Sequence, residues 1–267
     1  MMTLDTNQAD ATNTGASADN QAFLLTDWPD CSLFLDFDGT LVDLAETPDT
    51  VVVVPGLIEA LATLRDKLGG RLAIVSGRPI EQIDAMLAPL KLPAAGVHGA
   101  ERRAADGELH YITVLPLDNA KSRLQPLVAQ YPDLLLEEKR GALALHYRLA
   151  PGLKELCEQV MQEALDASPG MVLLHGKMVL ELKPGSSTKG SALAAFMQEA
   201  PFKGHKPVFA GDDTTDEAGI AYAQQTGGMG VKIGPGPSAA LRRLASPQEL
   251  RAQLVQAATT LPHGDTQ

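Results

Sequence analysis

The stretch from Cys31 to Leu41 reads CSLFLDFDGTL and indicates the fold of the chain. Its first part, Cys31 to Phe37, is a short and nearly continuous apolar run, which is typical of a strand buried on both faces of a parallel sheet. Asp36 and Asp38 lie where this strand runs out into a loop. The glycine that follows permits a tight turn. The stretch therefore predicts a central strand that delivers carboxylates to one edge of a sheet.

Outward from this strand, apolar runs alternate with leucine and isoleucine at helical spacing. Strands are expected at 31–37, 71–75, 94–99, 206–210 and 230–233, and helices at about 57–68, 80–90, 187–200, 215–224 and 247–261. Asp106-Gly107 is a hairpin signal between two further short segments. Strands separated by helices of this length predict an α/β fold, with a Rossmann-like parallel-sheet core and helices on both faces.

The middle of the chain has a different order of predicted helices and strands. Between about Pro116 and Lys183 the pattern is helix, two strands, helix, two strands, which predicts a small layer of antiparallel sheet. We interpret 116–183 as an α+β cap domain inserted into a core formed by 23–115 and 184–267. The first 22 residues are rich in Asn, Thr, Ala and Asp. They are expected to form a disordered tail.

Composition excludes several classes of protein. The 267 residues carry 22 Lys+Arg against 33 Asp+Glu, a net charge of −11, which disfavours binding to nucleic acid or to an anionic membrane. Apolar runs are too short to span a bilayer, and two cysteines are too few for a disulfide scaffold. We expect a cytoplasmic protein that acts on a small molecule. A monomer is plausible, but the sequence leaves the oligomeric state open.

Chemistry-bearing motifs follow the predicted strands. They are Asp36-Phe37-Asp38-Gly39-Thr40, Ser76-Gly77-Arg78, Lys189 near the start of a helix, and Gly211-Asp212-Asp213 after the strand at 206–210. The carboxyl ends of parallel strands meet at the edge where ligands bind in open α/β sheets. So many carboxylates require a cation, and oxygen ligands favour Mg²⁺. A hard cation beside a lysine predicts a phosphate site.

The two-residue spacing of Asp36 and Asp38 suits phosphoryl transfer. The first carboxylate can attack a bound phosphorus as a nucleophile, and the second can give a proton to the leaving oxygen. Taken singly, Asp-Gly after a strand is usually a turn, and Asp-Asp is usually a helix cap. The joint occurrence of four motifs at strand or helix ends favours the enzymatic interpretation.

These motifs resemble those of the haloacid-dehalogenase-like phosphatases. More narrowly, VHGAERR (97–103), EEKRGALALHYR (137–148), LELKPGSSTKG (180–190) and GDDTTDE (211–217) resemble the trehalose-phosphatase family. The resemblance runs from about Leu24 to Leu261. It implies a Mg²⁺-dependent hydrolysis of trehalose 6-phosphate through an aspartyl-phosphate.

The resemblance also implies a role for each matching residue. Asp36 is the nucleophile and a metal ligand, Asp38 is the general acid and a ligand through its carbonyl, and Asp212 is the third ligand, with Asp213 and Asp216 in support; Asp213 is also a candidate ligand. Ser76 and Lys189 are expected to hold the phosphoryl oxygens. The expected substrate-binding residues are Gly39, Thr40, Gly77, Arg78, Glu137, Lys139, Glu181 and Lys183. Glu101 and Arg103 lie in matching segments without a firm role.

The histidines are not predicted to act in catalysis. His98, His110, His175, His205 and His263 show no metal-ligand spacing, so we expect structural or surface roles. For His146 a structural hydrogen bond is expected rather than catalysis.

Two alternatives for function remain open at this point. The first is a phosphatase for another phosphorylated disaccharide or sugar alcohol, since only the cap would select the sugar. The second is a non-catalytic sugar-phosphate-binding regulatory module. A degenerate module would be expected to have lost Asp36 or Asp38, and both are present.

Overall fold

A computed structural model of the chain describes residues 24–45, 50–112, 116–176 and 178–262. The tail predicted at 1–22 and His263 lie outside the described residues. The α-helices are α1 (Leu57–Lys67), α2 (Ile80–Leu87), α3 (Asp118–Gln130), α4 (Lys154–Asp166), α5 (Lys189–Phe196), α6 (Glu217–Gln225) and α7 (Pro247–Thr260). The strands are β1 (Cys31–Leu35), β2 (Leu72–Val75), β3 (Ala94–Gly96), β4 (Glu101–Arg103), β5 (Leu109–Tyr111), β6 (Leu135–Lys139), β7 (Ala142–His146), β8 (Met171–Gly176), β9 (Val179–Pro184), β10 (Lys206–Gly211), β11 (Met229–Ile233) and β12 (Arg242–Leu244).

Eight strands form the larger sheet, in the order β12-β11-β10-β1-β2-β3-β4-β5. The six strands from β12 to β3 are parallel, and β4 and β5 extend the sheet as an antiparallel hairpin. β1 lies between β10 and β2, as expected for the most apolar strand. The α/β fold with a parallel sheet is therefore confirmed.

Both faces of this sheet are covered by helices. On one face, Leu33 and Leu35 of β1 belong to the same buried cluster as residues of α1, α2 and α7. On the other face, Phe34 packs with Phe196 of α5 and with Phe202 after it. Alternate side chains of one strand thus enter two separate cores, which is the pattern of a strand buried on both sides.

A second sheet of four strands follows the order β6-β7-β9-β8 and is wholly antiparallel. α3 and α4 pack on it, with a hydrophobic core drawn from residues between Leu117 and Leu182. The predicted sequence of elements in this segment is thus observed. The exact boundaries of a cap at 116–183 stay a prediction.

The observed elements depart from the sequence expectations at several ends. β1 stops at Leu35, because the Phe37 carbonyl accepts the N–H groups of Leu41 and Val42 and closes a turn. The strand expected at 94–99 stops at Gly96, because Val97 and His98 have φ of 48° and 54° in the left-handed region. β12 was not foreseen, since its polar residues give no apolar run.

Among the described residues, no helix combines the length and the apolar character that crossing a bilayer requires.

Candidate active site

Three neighbouring strands bring the predicted motifs to one edge of the larger sheet. β1 pairs in parallel with β10 on one side and with β2 on the other, so their carboxyl ends point the same way. The residue directly after each of these strands belongs to a predicted motif: Asp36 follows β1, Ser76 follows β2 and Asp212 follows β10. The convergence expected from the sequence is the geometry that is observed.

Asp36 lies at the centre of this edge and is 4 % exposed. One carboxylate oxygen, Oδ1, accepts a hydrogen bond from Lys189 Nζ at 2.6 Å, and the other, Oδ2, lies 3.1 Å from the hydroxyl of Thr40. Lys189 is the first residue of α5, which begins with a capping box built on Thr188. The helix start therefore fixes the ammonium group that faces Asp36.

Asp212 faces Asp36 across the same threonine. Its Oδ1 lies 3.3 Å from Thr40 Oγ1, and carboxylate oxygens of Asp36, Asp212 and Asp216 all lie within 4.8 Å of one another. Burial, followed by the charge of Asp216, raises the pKa of Asp212 to about 6, and the same two causes raise the pKa of Asp36 well above its ordinary value. One lysine does not balance three carboxylates, so this oxygen set suits a hard divalent cation.

Asp216 organises the loop after β10. Its Oδ2 accepts the backbone N–H groups of Asp212 and Asp213 at 2.9 and 2.8 Å, and its Oδ1 accepts a bond from Lys189 Nζ. It is fully buried. Asp213 caps the turn that follows, where its Oδ1 accepts the Thr214 N–H. Its carboxylate is not part of the clustered oxygens, and its role as a metal ligand stays a prediction.

Gly39 is required by a close approach and by its backbone conformation. Its φ is +75°, and a Cβ atom at this position would lie 2.2 Å from Asp212 Oδ2. Only glycine combines a left-handed turn with the space for a neighbouring carboxylate. The glycine thus lets the loop after β1 reach the loop after β10.

Asp38 forms a two-point ion pair with Arg78. Arg78 Nε lies 2.6 Å from Asp38 Oδ2, and Arg78 Nη2 lies 2.7 Å from Oδ1. The backbone N–H of Arg78 also donates to Ser76 Oγ at 3.1 Å. The second motif is thereby joined to the first, and the predicted proton donor is held by a predicted substrate-binding residue.

The small sheet contributes Glu137, Lys139 and Glu181, which the structure brings together. Lys139 Nζ lies 3.5 Å from Glu181 Oε2 and 3.9 Å from Glu137 Oε2. The same ammonium lies 3.5 Å from the carbonyl oxygen of Gly77 in the second motif. Lys139 therefore contacts the edge that carries Asp36, and Glu181 and Glu137 lie beside its ammonium.

Neighbouring groups lower the pKa of both Glu181 and Glu137. Burial would raise the pKa of Glu181, but the hydrogen bond from His98 and the charge of Lys139 outweigh it and lower the pKa to about 2. A hydrogen bond from His146, whose Nε2 lies 2.9 Å from Glu137 Oε2, lowers the pKa of Glu137. The hydrogen bond expected of His146 is therefore present.

Three residues with looser sequence assignments lie elsewhere. Lys183 is buried, and its ammonium donates to the carbonyl of Ser187 in the segment that leads back to the larger sheet. Glu101 Oε1 accepts the Ile80 N–H at the start of α2, at 2.6 Å. Arg103 forms a two-point ion pair with Asp84 of α2. Glu101 and Arg103 thus hold α2, and substrate binding by Lys183 stays a prediction.

The positions of two residues at the site were not predicted from the sequence: His98 was expected to be a structural or surface residue, and Lys232 was not named. His98 lies 3.4 Å from Glu181 Oε2 through its Nε2. Lys232 of β11 is buried and donates to the carbonyl of Asp212. The position of β11 beside β10 could have pointed to Lys232, because it is a lone lysine inside an apolar strand. His98 lies in the segment 97–103 that carries the family resemblance, but a contact with Glu181 was not predicted.

Together, the parallel sheet and its carboxylate-lysine edge define a haloacid-dehalogenase-like phosphatase fold and site. The sequence profile of the family described as Trehalose-phosphatase matches residues 34–248. The chain belongs to this family.

Two relatives and one solved structure are similar to this chain over most of its length. A probable trehalose-phosphate phosphatase of Sinorhizobium fredii is 42% identical over 254 residues, 94% of this chain and 96% of that protein. The trehalose-6-phosphate phosphatase of Escherichia coli is 44% identical over 244 residues, 89% of this chain and 91% of that protein. The C-terminal domain of the C. albicans trehalose-6-phosphate phosphatase superimposes with a TM-score of 0.73 at 19% identity, over 86% of this chain and 92% of that one, which shows the shared fold.

Proposed function

We propose that this protein hydrolyses trehalose 6-phosphate to trehalose and phosphate. One observation carries the proposal: Lys139 of the small sheet contacts both Glu181 and the Gly77 carbonyl, so hydroxyl-binding groups adjoin the edge that holds Asp36. The names of relatives that are 42% and 44% identical over most of the chain support this choice of substrate. Action on a small molecule in the cytoplasm belongs to the same proposal.

The carboxylate edge suits Mg²⁺, with Asp36, Asp212 and the backbone carbonyl of Asp38 as the proposed protein ligands. When bound, the ion would offset the charge of the carboxylates and of the phosphoryl group. The pKa values of Asp36 and Asp212, raised by burial and then by the charge of Asp216, support this assignment, because a bound cation would favour the ionised form of both carboxylates.

In the first chemical step, the Asp36 carboxylate attacks phosphorus and the bond from phosphorus to the sugar oxygen breaks. Asp38 gives its proton to that oxygen, so trehalose leaves as a neutral alcohol. Lys189 and Ser76 hold the phosphoryl oxygens while the aspartyl-phosphate forms. Thr40, which lies 3.1 Å from Asp36, keeps the nucleophile in place.

In the second step, water attacks the phosphorus of the aspartyl-phosphate. Asp38, now ionised, takes a proton from that water, and the bond from phosphorus to Asp36 breaks. Phosphate leaves and Asp36 returns as a carboxylate. The same residue thus serves as acid and then as base, as its position two residues after the nucleophile allows.

We propose that residues 116–183 act as a cap that selects the sugar. Glu137, Lys139 and Glu181 offer two carboxylates and an ammonium, which together accept from and donate to hydroxyl groups. A site built for hydroxyls rejects analogues that lack them.

The direct test is phosphate release from trehalose 6-phosphate, sucrose 6-phosphate and glucose 6-phosphate, with Mg²⁺ and with excess chelator. We expect trehalose 6-phosphate to have the highest kcat/KM and chelation to abolish turnover. A higher kcat/KM for sucrose 6-phosphate or glucose 6-phosphate would contradict the proposed substrate. Absence of turnover on every phosphate ester would favour a binding module. Full activity in chelator would contradict the role of Mg²⁺.

A further inference from the structure

His98 is held rigidly at the edge of the larger sheet. Its N–H donates to the Ser76 carbonyl at 2.9 Å, and its own carbonyl accepts from Ser187 Oγ at 3.1 Å. Its φ of 54°, next to a φ of 48° at Val97, is unusual for both residue types. Such strain persists only where the surrounding structure imposes it. The imidazole therefore occupies a place fixed by the core.

That place is the contact between the core and the small sheet. His98 Nε2 and Lys139 Nζ both lie near Glu181 Oε2, at 3.4 and 3.5 Å. The ring packs so closely on Gly77 that a Cβ atom there would lie 2.8 Å from it. The glycine of the second motif thus makes room for the imidazole.

The His98 imidazole is neutral, and one of its two nitrogens is a hydrogen-bond acceptor without a partner. Burial lowers the pKa of His98, which leaves it uncharged at neutral pH. The proton is assigned to Nε2, because that nitrogen faces the Glu181 carboxylate. Nδ1 then carries a lone pair.

Two buried acceptors in this contact have no hydrogen-bond partner. Among the described residues, the buried side-chain atoms in this condition are His98 Nδ1, Glu181 Oε1 and His205 Nδ1. The last of these lies 3.1 Å from Asp30 Oδ1, outside the contact between the core and the small sheet. His98 and Glu181 are 7 % and 5 % exposed, and a buried acceptor without a hydrogen bond destabilises the fold. Both unpaired acceptors of the contact call for a donor.

We infer that His98 is a substrate-binding residue, whose Nδ1 accepts a hydrogen bond from a hydroxyl of the sugar while Glu181 Oε1 accepts another. Sugar hydroxyls supply donors to both atoms and remain neutral. A phosphate group at this place would be repelled by the Glu181 carboxylate. The inference rests on the proposed function for the identity of the sugar, and it adds a core residue to a recognition site otherwise supplied by the cap.

Two substitutions distinguish the roles of Nε2 and Nδ1 of His98. His98→Gln places an amide near Nε2 and keeps a donor for Glu181, but it removes the acceptor at the Nδ1 position. His98→Asn places an oxygen near Nδ1, suits the left-handed backbone, and is too short to reach Glu181. His205→Gln is the matched control, because His205 also pairs with a carboxylate but lies at the opposite edge of the sheet, just before β10.

The experiment measures kcat/KM on trehalose 6-phosphate, on 4-nitrophenyl phosphate and on trehalose 6-phosphate analogues that each lack one hydroxyl, with thermal unfolding to verify the fold. We expect His98→Gln to lose about 10-fold or more on trehalose 6-phosphate and to stay within about 3-fold on the aryl phosphate. We expect one analogue to be poor for the unsubstituted enzyme and for His98→Asn, with that penalty largely absent in His98→Gln. The control should match the unsubstituted enzyme throughout.

An equal loss on both phosphate esters, or the same penalty for every analogue in His98→Gln and the unsubstituted enzyme, would overturn the inference. Failure of the unsubstituted enzyme on trehalose 6-phosphate would instead contradict the proposed function. The same comparison, made on whichever sugar phosphate it prefers, would then decide the role of His98.

Discussion

Arg78 binds Asp38 with both ends of its guanidinium fork, Nε to Oδ2 at 2.6 Å and Nη2 to Oδ1 at 2.7 Å. The Asp38 side chain is 30% exposed, so this ion pair, rather than packing alone, fixes the orientation of the carboxylate. Because Asp38 is the proposed proton donor, the position of its carboxylate links the second motif to the chemical step.

Arg78→Gln should lower kcat for trehalose 6-phosphate by about 10-fold or more, because the ion pair orients the ionised Asp38 carboxylate that takes a proton from the attacking water. The matched control is Arg103→Gln, which removes a similar two-point ion pair with Asp84 on α2. Steady-state kinetics should show near-normal turnover in the control. An equal loss in the two variants would mean that Arg78 acts only through the stability of the fold.

Gly39→Ala should abolish most activity although it adds a single methyl group. The new Cβ would strain a backbone with φ of +75° and would lie 2.2 Å from Asp212 Oδ2. One of the two loops must then move, which separates Asp36 from Asp212. Gly107→Ala is the control, since Gly107 has φ of +91° but nothing within 4 Å of the added atom. Comparable activity of the two variants would contradict the importance of this close approach.

Lys189→Met should cost both activity and stability, because it leaves Asp36 and Asp216 buried without their cation. Breaking a buried ion pair from one side typically costs about 3–5 kcal/mol. Lys189→Met combined with Asp216→Asn should recover part of the free energy of unfolding without recovering turnover. Denaturant unfolding measures the first quantity and phosphate release the second. Restored turnover in the double variant would contradict the role of Lys189 at the phosphoryl group.

The lowered pKa of Glu181, about 2 in the folded protein, predicts a dependence of stability on pH. A depressed carboxyl pKa stabilises the fold above the unfolded value of about 4.3, and this contribution is lost as the pH falls toward 2. The full contribution is on the order of 3 kcal/mol. Relative to Glu181→Gln, the unsubstituted protein should therefore lose more free energy of unfolding between pH 6 and pH 3. An unchanged difference between the two proteins would show that Glu181 is not held by His98 and Lys139.

Much of the fold could be predicted because its signals are local. The apolar run at Cys31 to Leu35 identifies the central strand, and the order helix, two strands, helix, two strands identifies the small antiparallel layer. β12 was not predicted, because Arg242 and Arg243 occupy a three-residue edge strand that needs no apolar run. An edge strand of this kind is specified by its pairing with β11, which is a property of the folded chain.

The site could be predicted as far as motifs at strand ends allow. The convergence of Asp36, Lys189 and Asp212 follows from the topology of a parallel sheet. The contact of His98 with Glu181 does not, because 83 residues separate the two and the small sheet must dock on the core before they meet. Likewise, the sequence motif did not reveal that both oxygens of Asp216 are engaged, which requires the path of the loop after β10.

The most direct test of the account is phosphate release from trehalose 6-phosphate by Asp36→Asn in the presence of Mg²⁺, beside the unsubstituted enzyme. Asn keeps the size of the side chain but cannot attack phosphorus as a carboxylate, so we expect turnover to fall by several orders of magnitude. Thermal unfolding should show a folded protein. Substantial turnover by the purified, folded variant would contradict covalent catalysis by Asp36.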